Sequence, residues 1–250
     1  MMIEERHRKI VEAFKENPNI DIKELAERLF VSEPTVRRDL TELHNKGIIT
    51  KKYGGAILNT AAAYREIPFF LRENEKSTTK SEMGKKAATL VKDGMVIMLD
   101  GSTSAFHIVP YLARFENLTV VTSGAKTALA LAEANIRTFC TGGEMIIHSF
   151  SYVGEQAESF VRNVNADLLF FSCHGLDLRG RMTDNAIEEA NLRKVMFSYA
   201  AKKILLCDSS KFGKTCFYNM GNIADMDGII TDAELPDELA KMIKNRKQIS

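Results

Sequence analysis

No run of about 18 apolar residues occurs in the sequence, so no segment is suited to cross a membrane as a helix. The first ten residues, MMIEERHRKI, are charged and lack an apolar core, so no secretory signal is expected. Cysteine is scarce. Cys140, Cys173, Cys207 and Cys216 form no C-x-x-C pair, and three of them lie in or beside apolar runs. These spacings speak against a zinc site and predict buried, reduced thiols in a cytoplasmic protein. Proline is rare, at 5 in 250 residues, and 34 basic residues nearly balance 33 acidic ones. A collagen-like, disordered or histone-like chain is thereby excluded, although a local basic face is not. A Walker lysine motif and G-x-G-x-x-G are both absent, so neither ATP nor a dinucleotide is suggested, and no metal or cofactor is expected.

A 45% hydrophobic and 27% charged composition is globular, and the length suits one large domain or two small ones. The chain changes character near residue 58. Before it, three short helices fit residues 3–16, 21–29 and 33–46. Their apolar stripes are Ile10, Val11 and Phe14, then Ile22, Leu25, Ala26 and Leu29, then Val36, Leu40 and Leu43. Asp21 with Glu24 forms a capping-box-like pair. Ser32 can cap the third helix, where Pro34 needs no N–H partner. With the stripe buried, Thr35, Arg37 and Arg38 point elsewhere, near the helix's N-terminal end. In helix-turn-helix proteins that end reads bases and phosphates.

Residues 47–57 then read as two short strands around a basic, glycine-containing turn, a wing that brings Lys51 and Lys52 toward phosphate. From Arg28 to Leu58 six basic residues face three acidic ones, so this segment carries +3 while the whole chain carries +1. Double-stranded DNA is the expected partner. A merely solvated helix face is the plainer alternative for Arg37 and Arg38 taken alone.

Beyond residue 80, short apolar runs alternate with amphipathic stretches. The runs are Met95–Leu99, Leu118–Val121, Ile136–Cys140, Leu168–Phe171, Ile204–Cys207 and Gly228–Ile230. Helices are expected at Met83–Val91, Ser104–Phe115, Ala125–Ala134, Gln156–Asn163 and Ile187–Ala200. This pattern predicts a mostly parallel α/β sheet covered on both faces. The organisation is therefore residues 1–57, a linker at 58–75, and a second domain at 76–250.

Ligands of open parallel sheets sit beyond the carboxyl ends of the strands. Those ends here carry Asp100-Gly101-Ser102-Thr103-Ser104, Thr122-Ser123-Gly124, Thr141-Gly142-Gly143, His174-Gly175-Leu176-Asp177 and Asp208-Ser209-Ser210-Lys211. The set suits a small polyhydroxylated anion, with hydroxyls and Lys211 for phosphate and Asp100 and Asp177 for sugar hydroxyls. Each turn alone has a plainer reading: a cap, a structural histidine at 174, a solvated lysine at 80.

R-H-R-K-I-V-E-A-F, I-K-E-L-A-E-R-L-F-V-S-E-P-T-V-R-R-D-L and K-K-Y-G-G-A together resemble the DeoR-type winged helix-turn-helix of bacterial sugar-metabolism repressors. K-S-E-M-G-K-K-A from Lys80, D-G-S-T-S, G-L-D, E-A-N-L-R-K and D-S-S-K-F-G resemble its sensor domain. The resemblance implies DNA contacts at Ser32, Thr35, Arg37 and Arg38, and a structural Asp39 paired with an arginine. It also implies a homodimer or homotetramer, a sensor fold similar to ribose-5-phosphate isomerase, and a phosphorylated sugar effector. Effector contacts are then expected at Lys80, Asp100–Ser104, Ser123, Gly142, Gly143, His174, Gly175, Asp177 and Lys211. Two departures stand out: Ser-Cys-His before Gly175, and Leu192-Arg193-Lys194 where the isomerase has a glutamate beside a lysine. Without that general base a regulator is expected rather than an enzyme. An isomerase-like enzyme carrying a winged helix, and a winged helix that binds protein, are the alternatives.

Overall fold

The structure is a computed structural model and describes residues 3–45, 48–52, 55–58, 68–243 and 248–249. The chain divides into two compact units, Met1–Glu75 and Lys76–Ser250.

In the first unit, helices α1 (Ile3–Glu16), α2 (Ile22–Leu29) and α3 (Glu33–Asn45) bury their stripes in one core that includes Phe14, Leu25, Val36, Leu40 and Leu43. Asp21 caps α2 by accepting from the Glu24 N–H at 2.8 Å. The helix ends at Phe30, whose backbone is left-handed (φ 54°). On α3 the buried Asp39 accepts from Arg6 Nη2 at 2.8 Å, and His7 Nε2 lies 3.3 Å from the same oxygen. These bonds anchor α3 to α1.

Strands β1 (Ile49–Lys52) and β2 (Gly55–Leu58) pair antiparallel, Lys52 opposite Gly55. Lys51 and Lys52 thus belong to a strand, and not to the turn where the sequence pattern puts them. Residue 46, the expected end of the third helix, lies outside the described residues, as do residues 59–67 of the expected linker. The rest of that linker is not bare: Phe69–Asn74 form helix α4, with Phe69 and Leu71 buried and Leu71 in the three-helix core. Six residues make fewer than two turns, too few to display a period.

The second unit runs α5 (Ser77–Ala88), β3 (Val96–Leu99), α6 (Thr103–Phe106), β4 (Thr119–Thr122), α7 (Ala125–Glu133), β5 (Arg137–Cys140), β6 (Glu144–Ile146), β7 (Ser151–Val153), α8 (Glu155–Arg162), β8 (Ala166–Phe171), β9 (Gly175–Leu176), β10 (Arg181–Asp184), α9 (Ile187–Ser198), β11 (Ala200–Leu206), β12 (Tyr218–Asn222), β13 (Gly228–Ile230), α10 (Asp237–Met242) and β14 (Gln248–Ile249). Its main sheet is parallel throughout, in the order β14-β13-β11-β8-β3-β4-β5. Alternate strand residues enter opposite cores: Ile97, Leu99, Phe170, Ile204 and Leu206 on one face, Met98, Leu169, Phe171 and Leu205 on the other. Both faces being apolar is why the strands read as continuous hydrophobic runs.

Two small sheets, β6-β7 and β12-β10-β9, hang on this frame. Their residues alternate too briefly to stand out in the sequence. The expected helix at Ser104–Phe115 is broken into α6 and a single 3₁₀ turn at Val109–Tyr111, because Pro110 has no N–H to donate. All four cysteines are free thiols. Cys173 and Cys207 are buried, but Cys140 and Cys216 are only half-buried, contrary to expectation.

The chain leaves β3 toward β4 and β5 on one side, and leaves β8 toward β11 and β13 on the other. The β3/β8 pair is therefore the topological switch point, where an open α/β sheet has its crevice. Gly84 on α5 sets how closely that helix packs. A Cβ there would lie 2.2 Å from the His107 carbonyl oxygen, which is backbone and cannot swing away. An unobstructed helical Gly→Ala change stabilises by up to about 1 kcal/mol. Gly84→Ala is expected to reverse that sign and cost about 1–3 kcal/mol in urea unfolding, the range of an overpacked core.

Candidate functional site

Two surfaces gather the residues with chemistry to offer. The first is on the helix-turn-helix unit. Ser32, Arg37 and Arg38 are exposed and Thr35 is half-buried, while Val36, Asp39 and Leu40 between them are buried. Ser32 Oγ lies 3.0 Å from Thr35 Oγ1. Arg37 Nη2 is 3.3 Å from Glu33, an exposed i,i+4 pair that holds it only weakly. Lys51 donates to Thr41 Oγ1 at 2.7 Å, and Thr41 in turn donates to the Arg37 carbonyl at 2.7 Å. Thr41 lies one turn beyond Arg37 and Arg38, so this chain of bonds draws the wing strand to their side of α3. Lys52 is exposed beside it. The six residues expected to meet DNA thus stand on one small unit, with the charged four, Arg37, Arg38, Lys51 and Lys52, all exposed.

The second surface is the switch-point crevice. Gly101 and Ser123 line it together with Ser151, Tyr152 and Val153 of β7 and Glu189, Leu192 and Arg193 of α9, around a small cavity of about 10 Å³. A Cβ on Gly101 would lie 2.0 Å from Ser151 Oγ and 3.6 Å from Ser123 Oγ, so the loop after β3 is held tightly against two hydroxyls. Ser151 Oγ is buried and has no hydrogen-bond partner among the described residues. A buried polar atom left unpaired costs about 1–3 kcal/mol, which marks it as an atom awaiting a ligand or water.

Behind the crevice lies an ion network. Arg193 is buried and donates from Nε to Asp100 and from Nη1 to Asp184, both at 2.7 Å, with Glu189 3.4 Å from Nη2. Burial lowers the Arg193 pKa, but Asp184, Asp100 and Glu189 more than reverse this and raise it. Burial likewise raises the Asp184 pKa; Arg193 and His174 outweigh it and hold the carboxyl well below the usual carboxylate range. Asp100 accepts four bonds: from Ser102 N–H and Oγ, Ser172 N–H and Arg193. Four is about all a carboxylate can take.

Asp177 accepts from the N–H groups of Arg179 and Arg181 and from Arg181 Nε. Both carboxylates assigned to sugar hydroxyls from the sequence are therefore occupied by protein donors. The remaining expected contacts are distributed. Ser102 caps α6, and Thr103 and Ser104 are buried within that helix. Gly142 and Gly143 both have positive φ, and a Cβ on Gly143 would strike the Val153 carbonyl at 2.4 Å. Gly175 is in β9, packed against the Lys214 backbone. Lys80 is buried in α5 and not solvated.

His174 places Nδ1 2.8 Å from Asp184, leaving Nε2 buried with no partner among the described residues. Lys211 donates to Ser172 Oγ at 2.8 Å and lies 3.7 Å from Asp208, which also pairs with Lys76 at 3.0 Å. Burial raises the Asp208 pKa, but Lys211, Ser210 and Lys76 hold it well below the usual range. Sequence reasoning missed Ser151, Ser172, Lys76, Glu189 and the role of Arg193. The acid–base spacing of Glu189 and Arg193, one turn apart within a helix, was the signal available.

Comparison with known proteins identifies both units. Residues 6–62 match the DeoR-like helix-turn-helix domain and residues 75–233 the DeoR C terminal sensor domain. The chain is 34% identical over 99% of its length to an uncharacterized HTH-type transcriptional regulator of Bacillus subtilis, covering 95% of that protein. It is 32% identical to the lactose phosphotransferase system repressor of Streptococcus mutans, with 98% of each chain covered. It is also 32% identical to the L-fucose operon activator of Haemophilus influenzae, over 87% of each. Among solved structures, ribose 5-phosphate isomerase A of Methanocaldococcus jannaschii overlays 55% of each chain with a TM-score of 0.42 at 16% identity. These three sequence relatives are regulators, in keeping with the expectation that the chain is not an enzyme. The two domain matches, in this order and over nearly the whole chain, make this protein a member of the DeoR family of transcriptional regulators.

Proposed function

We propose that the protein represses a sugar-metabolism operon by binding operator DNA through α3 and the wing, and that a phosphorylated sugar in the switch-point crevice sets its affinity for that operator. The observation that carries the DNA half is the exposed set Arg37, Arg38, Lys51 and Lys52 around a helix whose other face is buried. Arginine is suited to bidentate contact with guanine or phosphate, and the lysines to phosphate. The sensor half is supported by the unpartnered Ser151 hydroxyl beside Gly101 and Ser123, with the Lys211 ammonium beyond the end of β11, across β8 from β3. Hydroxyls, backbone N–H groups and one ammonium suit a phosphate. Asp100 and Asp177 hold the loops that carry these groups.

Regulation follows as a population shift. A ligand favouring one geometry by about 1–3 kcal/mol changes operator affinity about 5–150-fold. A homodimer or homotetramer is the assembly proposed, since two-fold half-sites require paired recognition helices. Repression is preferred to activation because the S. mutans relative, similar over nearly its whole length, is named a repressor.

Two measurements check this. In a gel-shift titration with the DNA upstream of the protein's own gene, Arg37→Ala/Arg38→Ala is expected to weaken binding about tenfold to a hundredfold. It should also flatten the slope of log K against log salt by about 1–2, since one or two phosphates are no longer neutralised. Unchanged affinity in a folded variant disproves the DNA face. In a thermal-shift screen of sugar phosphates, at least one is expected to raise the melting temperature of the native chain by several degrees at a hundredfold excess over its Kd, equivalent to about 2.7 kcal/mol. Lys211→Ala should abolish that shift while leaving the melting temperature without ligand within a few degrees of native.

A further inference from the structure

Phe30 closes α2 in a left-handed backbone conformation (φ 54°, ψ 45°) and is 95% exposed. Glycine occupies such a turn without steric cost, whereas a residue with a Cβ is strained there. The chain thus places a strained residue where a relaxed one serves, and turns its aromatic ring into water. A break of local preference with no gain inside the fold is expected at functional positions.

Its surroundings indicate what the ring meets. Ser32, two residues on, opens the recognition helix next to Thr35, on the same end of α3 as the proposed DNA contacts. With Lys23, Ala26, Glu27, Val31, Ser32 and Glu33, Phe30 lines a shallow, open hollow. The only other exposed large apolar side chain among the described residues of this unit is Ile3. A lone ring does not make a protein interface, which needs about 800 Å² from each partner around an apolar centre. Glu27 and Glu33 disfavour direct phosphate contact at this spot. The apolar edge of duplex DNA, deoxyribose carbons and thymine methyl groups, fits a single uncharged ring flanked by a hydroxyl donor and a lysine.

We infer that Phe30 is a DNA-contacting residue that packs on the sugar or thymine-methyl edge of the operator beside the N-terminal end of α3. The inference rests on the DNA-binding reading above.

The test compares native protein, Phe30→Gly and Phe30→Leu on the duplex from upstream of the protein's own gene, by gel shift at several salt concentrations, by thermal melting and by sedimentation. Phe30→Gly should bind about tenfold more weakly, with Phe30→Leu intermediate, consistent with removal of some tens of Å² of apolar contact. The salt slope should not change, because no charge is removed, in contrast to the arginine variant. The melting temperature of Phe30→Gly should equal or exceed the native value, since the strain is gone. Native-like binding by Phe30→Gly overturns the inference. So does a fall in its melting temperature, which would make the ring part of the fold, or a change in sedimenting mass, which would give the ring to a second copy of the chain. Failure of the native protein itself to retard the duplex would instead bring down the DNA-binding reading, and this inference with it.

Discussion

Arg193 is buried among Asp100, Asp184 and Glu189, and the switch-point crevice depends on that arrangement. A guanidinium removed from water must find its anions in one geometry, or the cost of burial is not recovered. Its planar fork sets the distance between the loop after β3 and the end of β10. Asp100 passes the constraint on, through its bonds to Ser102 and to the Ser172 N–H, to the ends of β3 and β8. Ser172 passes it further, accepting from Lys211 while donating to the Leu206 carbonyl. One buried cation therefore positions loops from three neighbouring strands.

The same device recurs in the helix-turn-helix unit with the charges exchanged. There the buried group is an anion, Asp39, and the partners Arg6 and His7 come from α1. Because Asp39 follows Arg37 and Arg38 directly, pinning it fixes the direction in which those two arginines leave the helix. The Lys51–Thr41–Arg37 bonds then draw the wing strand to the same side. In both units a buried ion pair defines the position of its neighbours.

This pairing bears on chemistry. Asp184, held far below the usual carboxylate range by Arg193 and His174, does not readily accept a proton. Asp100 and Asp184 serve as structure, holding Arg193 in place.

Composition, the apolar period and short motifs were enough to establish the two-unit order, the three helices with their Asp21 cap, the wing, and six parallel strands to within a few residues. Local physics decides these: a buried stripe or a doubly covered strand writes its period into the chain, and a cap has a fixed offset. The strand ends also showed where hydroxyl, carboxylate and lysine side chains gather. What each group there does was decided only by tertiary structure. Asp100 and Asp177 look like any sugar-binding carboxylates in sequence. Two of the donors to the first lie on Ser172 and Arg193, over 70 residues away, and those to the second in the tight turn at Arg179–Arg181. The helix α4, the β6-β7 hairpin that brings Ser151 to Gly101, and the exposure of Phe30 at a left-handed turn were likewise invisible. Each depends on tertiary packing or a backbone angle that no short stretch of sequence encodes.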